Sequence, residues 1–491
     1  MLYDLVVIGG GINGCGCAAD AALRGLSVYL CEQGDIASQT SSNSSKLIHG
    51  GLRYLEHHDL AMVKKALDEQ QILLDIAPHL VHPIPFVLPH DQHGRPMWLL
   101  RTGLFLYDHL SHTNTLPNSK SINRKKYPEY FTPLLAKLKD GFIFYDCKTD
   151  DARLTLINAL QAKQHGATIA SQTALVEAKI ENGLWELKLQ PKSGDSYVIQ
   201  SKSIINASGP WLESVSQLLQ IPLEHNIALI KGSHVVVHKL YDGEHAYLLQ
   251  HEDKRIVFVV PYYGHSMIGT TDVVYGGNLE NLTIDPNEIN YLSELLLHYF
   301  NKPLKKADII TTWSGVRPLL SAKEKKAAEL SRDYSIHYSA TPAPAVTIYG
   351  GKITTYRQLA AQAIDQLKTI FPELPESNSN KTALPGAAFQ NMNFNAYKQY
   401  AYDKYHWMEQ SVLKHYIETY GTLTENVLAN CHQISDLGIA FTSTLYQIEV
   451  DYLMREEWAR EVDDVLWRRT KLGLAFDKES YDKLAKYMSH R

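Results

Sequence analysis

The sequence predicts an α/β fold, followed by a β-rich region and a helical C-terminal region. Near the start, an apolar run over residues 6–8 leads into a glycine turn over residues 9–14, which reads G-x-G-x-x-G. A helical stretch follows, and a second apolar run over residues 27–31 ends on Glu32. A strand, a glycine turn, a helix, a second strand and an acid in this order are typical of a βαβ unit that binds a dinucleotide.

Each glycine of this turn has its own physical role. Gly9 permits the tight turn, Gly11 lets the backbone approach a pyrophosphate, and Gly14 lets the helix pack closely on the strand. The helix N-terminus adds free N–H groups and a positive dipole for the phosphates. Glu32 lies where a carboxylate can accept hydrogen bonds from an adenosine ribose. The alternative, a glycine-rich turn in some other α/β domain, is less consistent with the strand, helix and acid together.

Composition narrows the class of protein. The 491 residues have a net charge of −5, which argues against nucleic acid as the main partner because phosphate-binding surfaces usually need a basic excess. Five cysteines are present, and three of them (Cys15, Cys17 and Cys31) fall in the βαβ unit, which favours reduced core thiols over disulfides or a metal site. No stretch of about 18 apolar residues occurs, so we expect no transmembrane helix. Attachment to a membrane surface stays open.

The remaining pattern predicts alternating helices and strands. Helical spacing predicts amphipathic helices over residues 60–76, with Leu60, Val63, Leu67, Ile72 and Leu73 on the buried face, and over residues 150–165. Alternation predicts antiparallel strands over 167–172, 174–180, 185–189 and 196–200, a hairpin turn at 181–183 and a further strand over 202–206. Further along, the pattern predicts a β-rich region over 222–345, a strand at 347–349, a helix over 355–370, a linker over 372–382 and a helical region over 390–491.

A dense set of hydrogen-bond donors follows the acid closely. Residues 40–45 contain five hydroxyl side chains, and Lys46, His49 and Arg53 come next with two glycines between the last two. Hydroxyls and backbone N–H groups can bind a pyrophosphate and the polar edge of a flavin, and the glycines allow close approach. The alternative is a solvated serine-rich loop. The functional side chains that end the segment favour a binding site.

Three further segments are weaker signals when each is taken alone. Residues 350–357 form a second glycine turn that leads into a helix, whose N-terminus could stabilise negative charge on a reduced flavin. Residues 314–318 predict a constrained turn holding Arg317, since Pro318 disfavours helix there. Residues 269–272 end a predicted strand with two threonines and an aspartate.

The chain resembles one flavoprotein family along almost its whole length. In chain order, the matching stretches are VVIGGGINGCGCAADAALRGLSV, TSSNSSKLIHGGLRYLE, DCKTDDARL, NASGPW, LIKGSHVVV, EDKRIVFVVPY, IGTTDV, SGVRPL, SRDY, GGKITTYR and VDDVLWRRTKLGL. They are similar to those of FAD-dependent glycerol-3-phosphate dehydrogenases, within the wider D-amino-acid-oxidase-like flavoproteins. TSSNSSKLIHGGLRY and GGKITTYR are the most specific of them.

The resemblance implies a domain organisation. It implies a discontinuous Rossmann-like FAD-binding domain of the D-amino-acid-oxidase and glutathione-reductase type, with a β-rich substrate domain and a C-terminal helical domain. The implied FAD-binding segments are residues 1–77, 146–221 and 345–371, and the implied substrate-domain segments are residues 78–145 and 222–344. A linker over residues 372–382 then leads to the helical domain over residues 383–491.

The resemblance also implies a reaction. In the family, FAD accepts a hydride from C2 of sn-glycerol 3-phosphate, dihydroxyacetone phosphate is released, and the electrons pass to a membrane quinone. A protein of this kind is expected in the cytoplasm, peripherally attached to the inner face of the cell membrane. Whether it forms a homodimer stays open.

Three rival interpretations remain at this point. They are a glycerol-3-phosphate oxidase that reduces oxygen, an amino-acid-oxidising flavoprotein, and a membrane-docked FAD-binding protein without turnover. The family's anaerobic branch has a cysteine-rich C-terminal segment, and it is disfavoured because residues 380–491 contain only Cys431.

By resemblance, cationic and hydroxyl side chains bind the substrate. The implied phosphate ligands are Arg53, Tyr54, Thr270 and Arg332, in keeping with the bidentate fit of arginine to phosphate. The C2 hydroxyl must lose a proton, and histidine has a suitable pKa for that step. His49 is the first candidate for this base and His234 the second, with a packed strand histidine as the alternative for His234. Arg317 and Lys352 would hold the developing alkoxide and the flavin pyrimidine edge.

A second set of residues is implied to bind FAD, and no metal is expected. Ile12 and Asn13 would meet the pyrophosphate, Glu32 the ribose, and Val176 the adenine through its backbone. The other implied cofactor contacts are Gly9, Gly11, Gly14, Thr40, Ser41, Ser45, Lys46, Leu47, His49, Gly209, Gly351, Lys352 and Thr354.

One basic and aromatic segment lies in the C-terminal region. Trp467, Arg468 and Arg469, with Lys471, have side chains suited to lipid headgroups. The alternative is a solvated helix face.

Overall fold

The structure, a computed structural model, describes residues 1–52, 55, 59–91, 95–250, 255–321 and 333–490. Within them, the strands are β1 (Leu2–Ile8), β2 (Val28–Cys31), β3 (Leu47–Ile48), β4 (Val81–Pro89), β5 (Lys120–Asn123), β6 (Asp140–Thr149), β7 (Thr168–Ala170), β8 (Thr173–Glu181), β9 (Leu184–Pro191), β10 (Tyr197–Asn206), β11 (Ile227–His238), β12 (Ala246–Gln250), β13 (Ile256–Tyr262), β14 (His265–Gly269), β15 (Val273–Val274), β16 (Ile309–Leu320), β17 (Ser335–Ser339) and β18 (Ala345–Tyr349).

The helices alternate with these strands and then dominate the C-terminal region. They are α1 (Ile12–Leu23), α2 (Leu60–Ile76), α3 (Met97–His109), α4 (Asp151–Gln164), α5 (Leu212–Leu218), α6 (Pro286–Tyr299), α7 (Tyr356–Asp365), α8 (Phe394–Lys404), α9 (Gln410–Tyr420), α10 (Thr424–Val427), α11 (Gln447–Glu456) and α12 (Lys478–Met488).

The first sheet is mainly parallel and contains the predicted βαβ unit. Its strand order is β17-β18-β10-β1-β2-β7, and β8 and β9 extend it as an antiparallel meander on β10. Alternate residues of β1 point to opposite faces. Leu5 and Val7 pack against α1 and α7, and Val6 and Ile8 pack in a separate core with Trp185. Both faces of β1 are therefore buried, as is usual for a parallel sheet.

The strands predicted after α4 differ from the prediction in two respects. The first of them, β7, pairs in parallel with β2 rather than antiparallel. The two runs predicted over 196–200 and 202–206 form one strand, β10. The hairpin between β8 and β9 is as expected, with Asn182 at φ 52° and Gly183 at φ 79°.

The second sheet has ten strands and is mainly antiparallel. Its order is β15-β11-β14-β13-β12-β4-β6-β3, with β16 on β11 and β5 on β6. The turn predicted at residues 314–318 is wrong, because this segment lies inside β16. There, Arg317 is paired with Ile230 of β11. The glycine and the proline suggested a turn, but long antiparallel pairing keeps the segment extended.

Helix α2 has the predicted boundaries, while α3 was not foreseen among the aromatic residues after Pro89. Val63, Leu67 and Leu73 of α2 are buried, but Leu60 is 44% exposed at the first turn.

The cysteines are free and buried, as expected for reduced core thiols. The segment boundaries implied by the family resemblance stay a prediction.

The helical C-terminal region packs on the first sheet through buried ion pairs. Arg469 Nη2 lies 2.8 Å from Asp35 Oδ1, Arg153 pairs with Glu457, and Lys471 lies near Asp150. Burial alone would raise the pKa of Asp35, yet Arg469 and Arg468 hold it below its ordinary value. Lipid contact and a solvated face are therefore both wrong for the basic groups of residues 468–471, because these groups bind carboxylates inside the protein.

Candidate functional site

Two adjoining cavities lie at the edge of the first sheet where its parallel strands end. The larger has a volume of about 450 Å³ and reaches the second sheet, and the smaller has about 230 Å³ and covers the first glycine turn. The residues that line both are Ile12, Thr40, Ser41, Arg317, Leu319 and Gly351. The carboxyl ends of parallel strands are the usual place for a ligand in such sheets.

The glycine turn closes around the N-terminus of α1. Gly9 has φ 112°, and a Cβ on it would lie 2.7 Å from the carbonyl oxygen of Ala207. A Cβ on Gly14 would collide with the carbonyl oxygen of Gly9. Gly11 precedes α1 without a side-chain cap, and the N–H of Ile12 donates to Ser41 Oγ at 2.9 Å. The helix end can therefore bind an anion in the smaller cavity.

The carboxylate of Glu32 is hydrogen-bonded to the first glycine turn. Its Oε2 accepts from the N–H of Gly10 at 2.6 Å, and its Oε1 accepts from the N–H of Gly34 at 2.7 Å. Burial raises the pKa of Glu32, and these two hydrogen bonds oppose the shift. The carboxylate lines the smaller cavity, but its implied contact with a ribose stays a prediction.

Asn13 connects the two glycine turns. Its Nδ2 donates to the carbonyl of Gly350 at 3.0 Å, and a Cβ on Gly351 would lie 2.7 Å from the same nitrogen. The Oδ1 atom of Asn13 is buried and has no hydrogen-bond partner among the described residues. A buried oxygen of this kind normally has a partner, so the position can accept a donor from a ligand.

His49 lines the larger cavity, with its main chain held against the second turn. Its N–H donates to Thr354 Oγ1 at 3.3 Å, and its imidazole lies 6.0 Å from the ring of Phe258, centre to centre. Lys352 also lines this cavity, with its Nζ 3.0 Å from Met62 Sδ. The imidazole and the ammonium group thus border one space.

Arg317 is oriented by neighbouring groups of the protein. Its Nη2 lies 2.5 Å from Asp272 Oδ1 and donates to the carbonyl of Thr271 at 3.3 Å. Thr270 and Asp272 line the same cavity. A Cβ on Gly232 would lie 2.5 Å from Thr270 Oγ1 and 2.8 Å from Arg317 Nη2, so glycine makes room for both side chains.

His234 is buried in the wall of this cavity, with its Nε2 2.9 Å from Ser45 Oγ. Its ring is stacked on Trp313 at 5.5 Å. Burial lowers the pKa of His234 to about 3, with Lys46 and Arg317 adding to the shift. The imidazole is therefore neutral at pH 7 and is a weak proton acceptor there.

Lys46 differs from the other implied cofactor ligands, because its ammonium group is buried in an ion pair. Its Nζ lies 2.8 Å from Asp151 Oδ1 and donates to the carbonyl of Ser42 at 2.7 Å. The hydroxyl and the N–H of Ser44 also donate to Asp151. This side chain joins the serine-rich loop to α4, and the residue is not among the lining residues of either cavity.

The other implied cofactor residues lie at several places. Ser45, Leu47 and Thr354 line the larger cavity, and Gly209 lines the smaller one. Val176 sits at a bulge of β8 with 41% of its surface exposed, and its neighbour Leu175 lines the smaller cavity. Arg53, Tyr54 and Arg332 lie outside the described residues.

Sequence reasoning missed several residues of the larger cavity. Asp146, Phe258 and Asp272 lie in stretches that resemble the family, but the sequence assigned no chemical role to any of them. Met62 gave no signal, because it comes from a helix with an ordinary apolar pattern. The convergence of these elements is a tertiary property that local patterns do not encode.

Comparison with known proteins identifies the family. Residues 4–357 match the family model described as FAD-dependent oxidoreductase, and residues 377–490 match the C-terminal domain of alpha-glycerophosphate oxidase. The chain belongs to the FAD-dependent oxidoreductases. FAD is therefore its cofactor, and the α/β fold class with a C-terminal helical region is confirmed.

Curated relatives narrow the family further. The glycerol-3-phosphate dehydrogenase of Pseudomonas aeruginosa is 44% identical over 99% of this chain and 95% of its own length. The aerobic glycerol-3-phosphate dehydrogenase of Escherichia coli is 42% identical over 99% and 97%. The D-erythritol 1-phosphate dehydrogenase of Brucella abortus is 42% identical over 95% and 94%. These matches place the chain in the glycerol-3-phosphate dehydrogenase family.

Solved structures share the fold. The glycerol-3-phosphate dehydrogenase from Bacillus halodurans, complexed with FAD, superposes with a TM-score of 0.77 at 23% identity, covering 100% of this chain and 94% of that one. The L-alpha-glycerophosphate oxidase from Mycoplasma pneumoniae, with FAD bound, gives 0.61 at 18% identity, covering 75% and 95%.

The residues present fit an extended flavin dinucleotide. The start of α1, which has no side-chain cap and lines the smaller cavity, suits a pyrophosphate, and the buried Oδ1 of Asn13 leaves an acceptor for a ligand donor. The two cavities share lining residues, and together they extend from the glycine turn to His49. Among the described residues, no helix is both long and apolar enough to cross a bilayer.

Proposed function

We propose that the chain oxidises sn-glycerol 3-phosphate to dihydroxyacetone phosphate and passes the electrons to a membrane quinone. The observation that carries this proposal is the convergence of Arg317, Thr270, His49 and Lys352 on one cavity beside the glycine turn. The relatives' names support the substrate. When bound, FAD supplies a hydride acceptor at N5 for the hydrogen on C2.

The part of the cavity lined by Arg317 and Thr270 would bind the phosphate. Arg317, held by Asp272, presents a guanidinium whose fork matches phosphate oxygens, and Thr270 adds a hydroxyl. Arg53, Tyr54 and Arg332 are proposed as further ligands by family resemblance alone. Lys352 would hold negative charge at the flavin pyrimidine edge or on the substrate oxygen.

His49 is the proposed base for the C2 hydroxyl proton. It lines the cavity beside Lys352, whereas His234 has a pKa of about 3 and already pairs with Ser45. A general base works best with a pKa near the operating pH, which disfavours His234 for this step. His234 would instead orient Ser45 in the cavity wall.

The proposed cofactor contacts follow the smaller cavity. Ile12 and Asn13 would meet the pyrophosphate and Glu32 the ribose, while Val176 would contact the adenine through its backbone. The serine-rich loop and Thr354 would contact the flavin. Lys46 would contribute through its backbone, because its ammonium group binds Asp151.

We also propose peripheral contact with the inner face of the cell membrane through α3. Trp98, Leu99, Phe105 and Leu106 of this helix are 68, 44, 60 and 42% exposed, and Arg101 lies exposed between them. Large apolar side chains with a basic residue on one helix are suited to anionic headgroups and the acyl boundary below them. This surface would bring the enzyme to its quinone.

The decisive experiment is anaerobic reduction of the bound FAD, followed by its absorbance. We expect glycerol 3-phosphate to bleach the flavin of the wild-type protein. The variants His49→Ala and Arg317→Ala should keep FAD bound but be bleached much more slowly. D-Erythritol 1-phosphate is the comparison substrate, because one relative is named a dehydrogenase of that compound. A protein that is not reduced by glycerol 3-phosphate would refute the proposal. Oxygen uptake without a quinone analogue would indicate an oxidase instead.

A further inference from the structure

The main chain on either side of His49 is bound by side chains from two helices and a strand. The carbonyl of Ile48 accepts from Gln70 Nε2 of α2 at 2.7 Å. The N–H of Gly50 is 2.9 Å from the Tyr107 hydroxyl of α3 and 3.3 Å from Asp146 Oδ1 of β6. The peptide groups that flank His49 are therefore fixed independently of its imidazole.

Asp146 is the centre of this arrangement. Its Oδ1 accepts from the Tyr107 hydroxyl at 2.6 Å and from Gln70 Nε2 at 2.9 Å, in addition to the Gly50 N–H. The residue is 4% exposed and lines the larger cavity. Burial raises the pKa of Asp146 to about 7, although the three donors oppose the shift. Donors on three separate elements thus converge on one carboxylate oxygen.

The contacts around Gly50 leave no room for a side chain at this position. A Cβ at this position would lie 2.6 Å from Leu67 Cδ2 and 2.7 Å from the Tyr107 hydroxyl. Only a glycine lets α2 and α3 close on the main chain here. Since α3 also carries the exposed apolar face, Tyr107 links that helix directly to the segment of the proposed base.

We propose that Asp146 is a positioning residue for His49, acting with Tyr107 and Gln70 through the main chain of residues 48–50. The inference rests on the proposed function, because only a catalytic His49 gives this position a kinetic consequence. Misplacement of a catalytic group by about 1 Å can lower a rate by about a hundredfold, so rigid support of the segment affects turnover.

The test compares Asp146→Ala, Asp146→Asn and Tyr107→Phe in the FAD-loaded protein. Tyr420→Phe is the matched control, because the buried Tyr420 hydroxyl donates to the buried Glu449 at 2.7 Å, in the C-terminal region. The readouts are hydrogen exchange of a peptide over residues 47–52, the FAD content, and the rate of anaerobic flavin reduction at saturating substrate.

We expect Asp146→Ala and Tyr107→Phe to speed exchange of the peptide over residues 47–52 and to slow flavin reduction at least about tenfold, with a smaller change in KM. Asp146→Asn keeps an oxygen acceptor at the same place and should recover most of the rate. Tyr420→Phe should leave both readouts at the wild-type values.

Unchanged exchange in Asp146→Ala would overturn the proposal, and so would faster exchange with a wild-type reduction rate. Loss of rate only in proportion to lost FAD would also overturn it. Failure of the proposed function is recognised separately, as a wild-type protein whose FAD is not reduced by glycerol 3-phosphate. In that case, the exchange readout still decides whether Asp146 holds the segment.

Discussion

Asp272 and Arg317 form an ion pair inside the larger cavity, with Oδ1 and Nη2 at 2.5 Å. The two residues come from different parts of the second sheet, since Arg317 lies in β16 and Asp272 follows β14. The pair fixes the orientation of the guanidinium. Pre-organisation of this kind lowers the entropy lost when an anion binds.

We expect Asp272→Asn to raise the KM for glycerol 3-phosphate by about tenfold, because a charged pair that orients the guanidinium is lost. The maximal rate of flavin reduction should change less. The matched control is Asp4→Asn, since Asp4 pairs with Lys202 at 2.8 Å on the surface. Steady-state assays with a soluble quinone analogue check this, and an unchanged KM would contradict the role given to Asp272.

Gly232→Ala tests the space that Arg317 and Thr270 need. The added Cβ would press on both side chains, so we expect weaker substrate binding and slower flavin reduction with FAD retained. Gly276→Ala is the control, because a Cβ there meets no atom within 4 Å. Equal kinetics for the two variants would show that the close approach at Gly232 has no functional consequence.

Buried neutral histidines should make the protein sensitive to acid. Burial lowers the pKa of His79 to about 3, with Arg153 adding to the shift. The unfolded chain has the ordinary pKa near 6.5, so it binds more protons than the native state between about pH 6.5 and 3. His79 therefore lowers the free energy of unfolding as pH falls, by about 1.4 kcal/mol per pH unit in that window.

Urea unfolding at pH 7 and pH 5 measures this effect. His79→Gln should lose less stability between the two pH values than the wild type does, whereas the exposed His432→Gln should follow the wild type. An identical loss in His79→Gln and the wild type would refute the assignment.

The sequence predicted the first βαβ unit well because its determinants are local. Gly9, Gly14 and Glu32 act within a single turn and the following strand, and the structure brings them together as expected. Arg317 was placed in a turn instead of β16, since pairing with a strand about 80 residues away leaves no local pattern. Lys46 was expected at the cofactor, but the sequence could not show that Asp151 would bind its ammonium group.

The ion pair between Arg469 and Asp35 should stabilise the attachment of the C-terminal region. Both side chains are buried, so Arg469→Ala leaves the buried Asp35 with Arg468 as its remaining cationic partner and should cost up to about 3–5 kcal/mol of unfolding free energy. Arg455→Ala removes an exposed pair with Glu456 and should cost at most about 1 kcal/mol. Urea unfolding at neutral pH measures the free energy of unfolding of both variants. Similar losses in the two would contradict a stabilising role for the buried pair.

We expect the exposed apolar face of α3 to bind membranes. Trp98 and Phe105 lie two helical turns apart on that face, and their side chains would enter the acyl boundary. Transfer of each aromatic side chain contributes roughly 2 kcal/mol, so the double variant Trp98→Ser/Phe105→Ser should lower the vesicle partition coefficient by at least about tenfold. Sedimentation with vesicles containing anionic lipid measures this. The control is Val274→Ser/Ile434→Ser, since these apolar residues are 69 and 55% exposed elsewhere.

Flavin reduction without vesicles must also be compared, because Tyr107 of the same helix contacts Gly50. A double variant that reduces FAD normally in solution but loses vesicle binding assigns the exposed face of α3 to the membrane, and wild-type sedimentation would exclude it from that role.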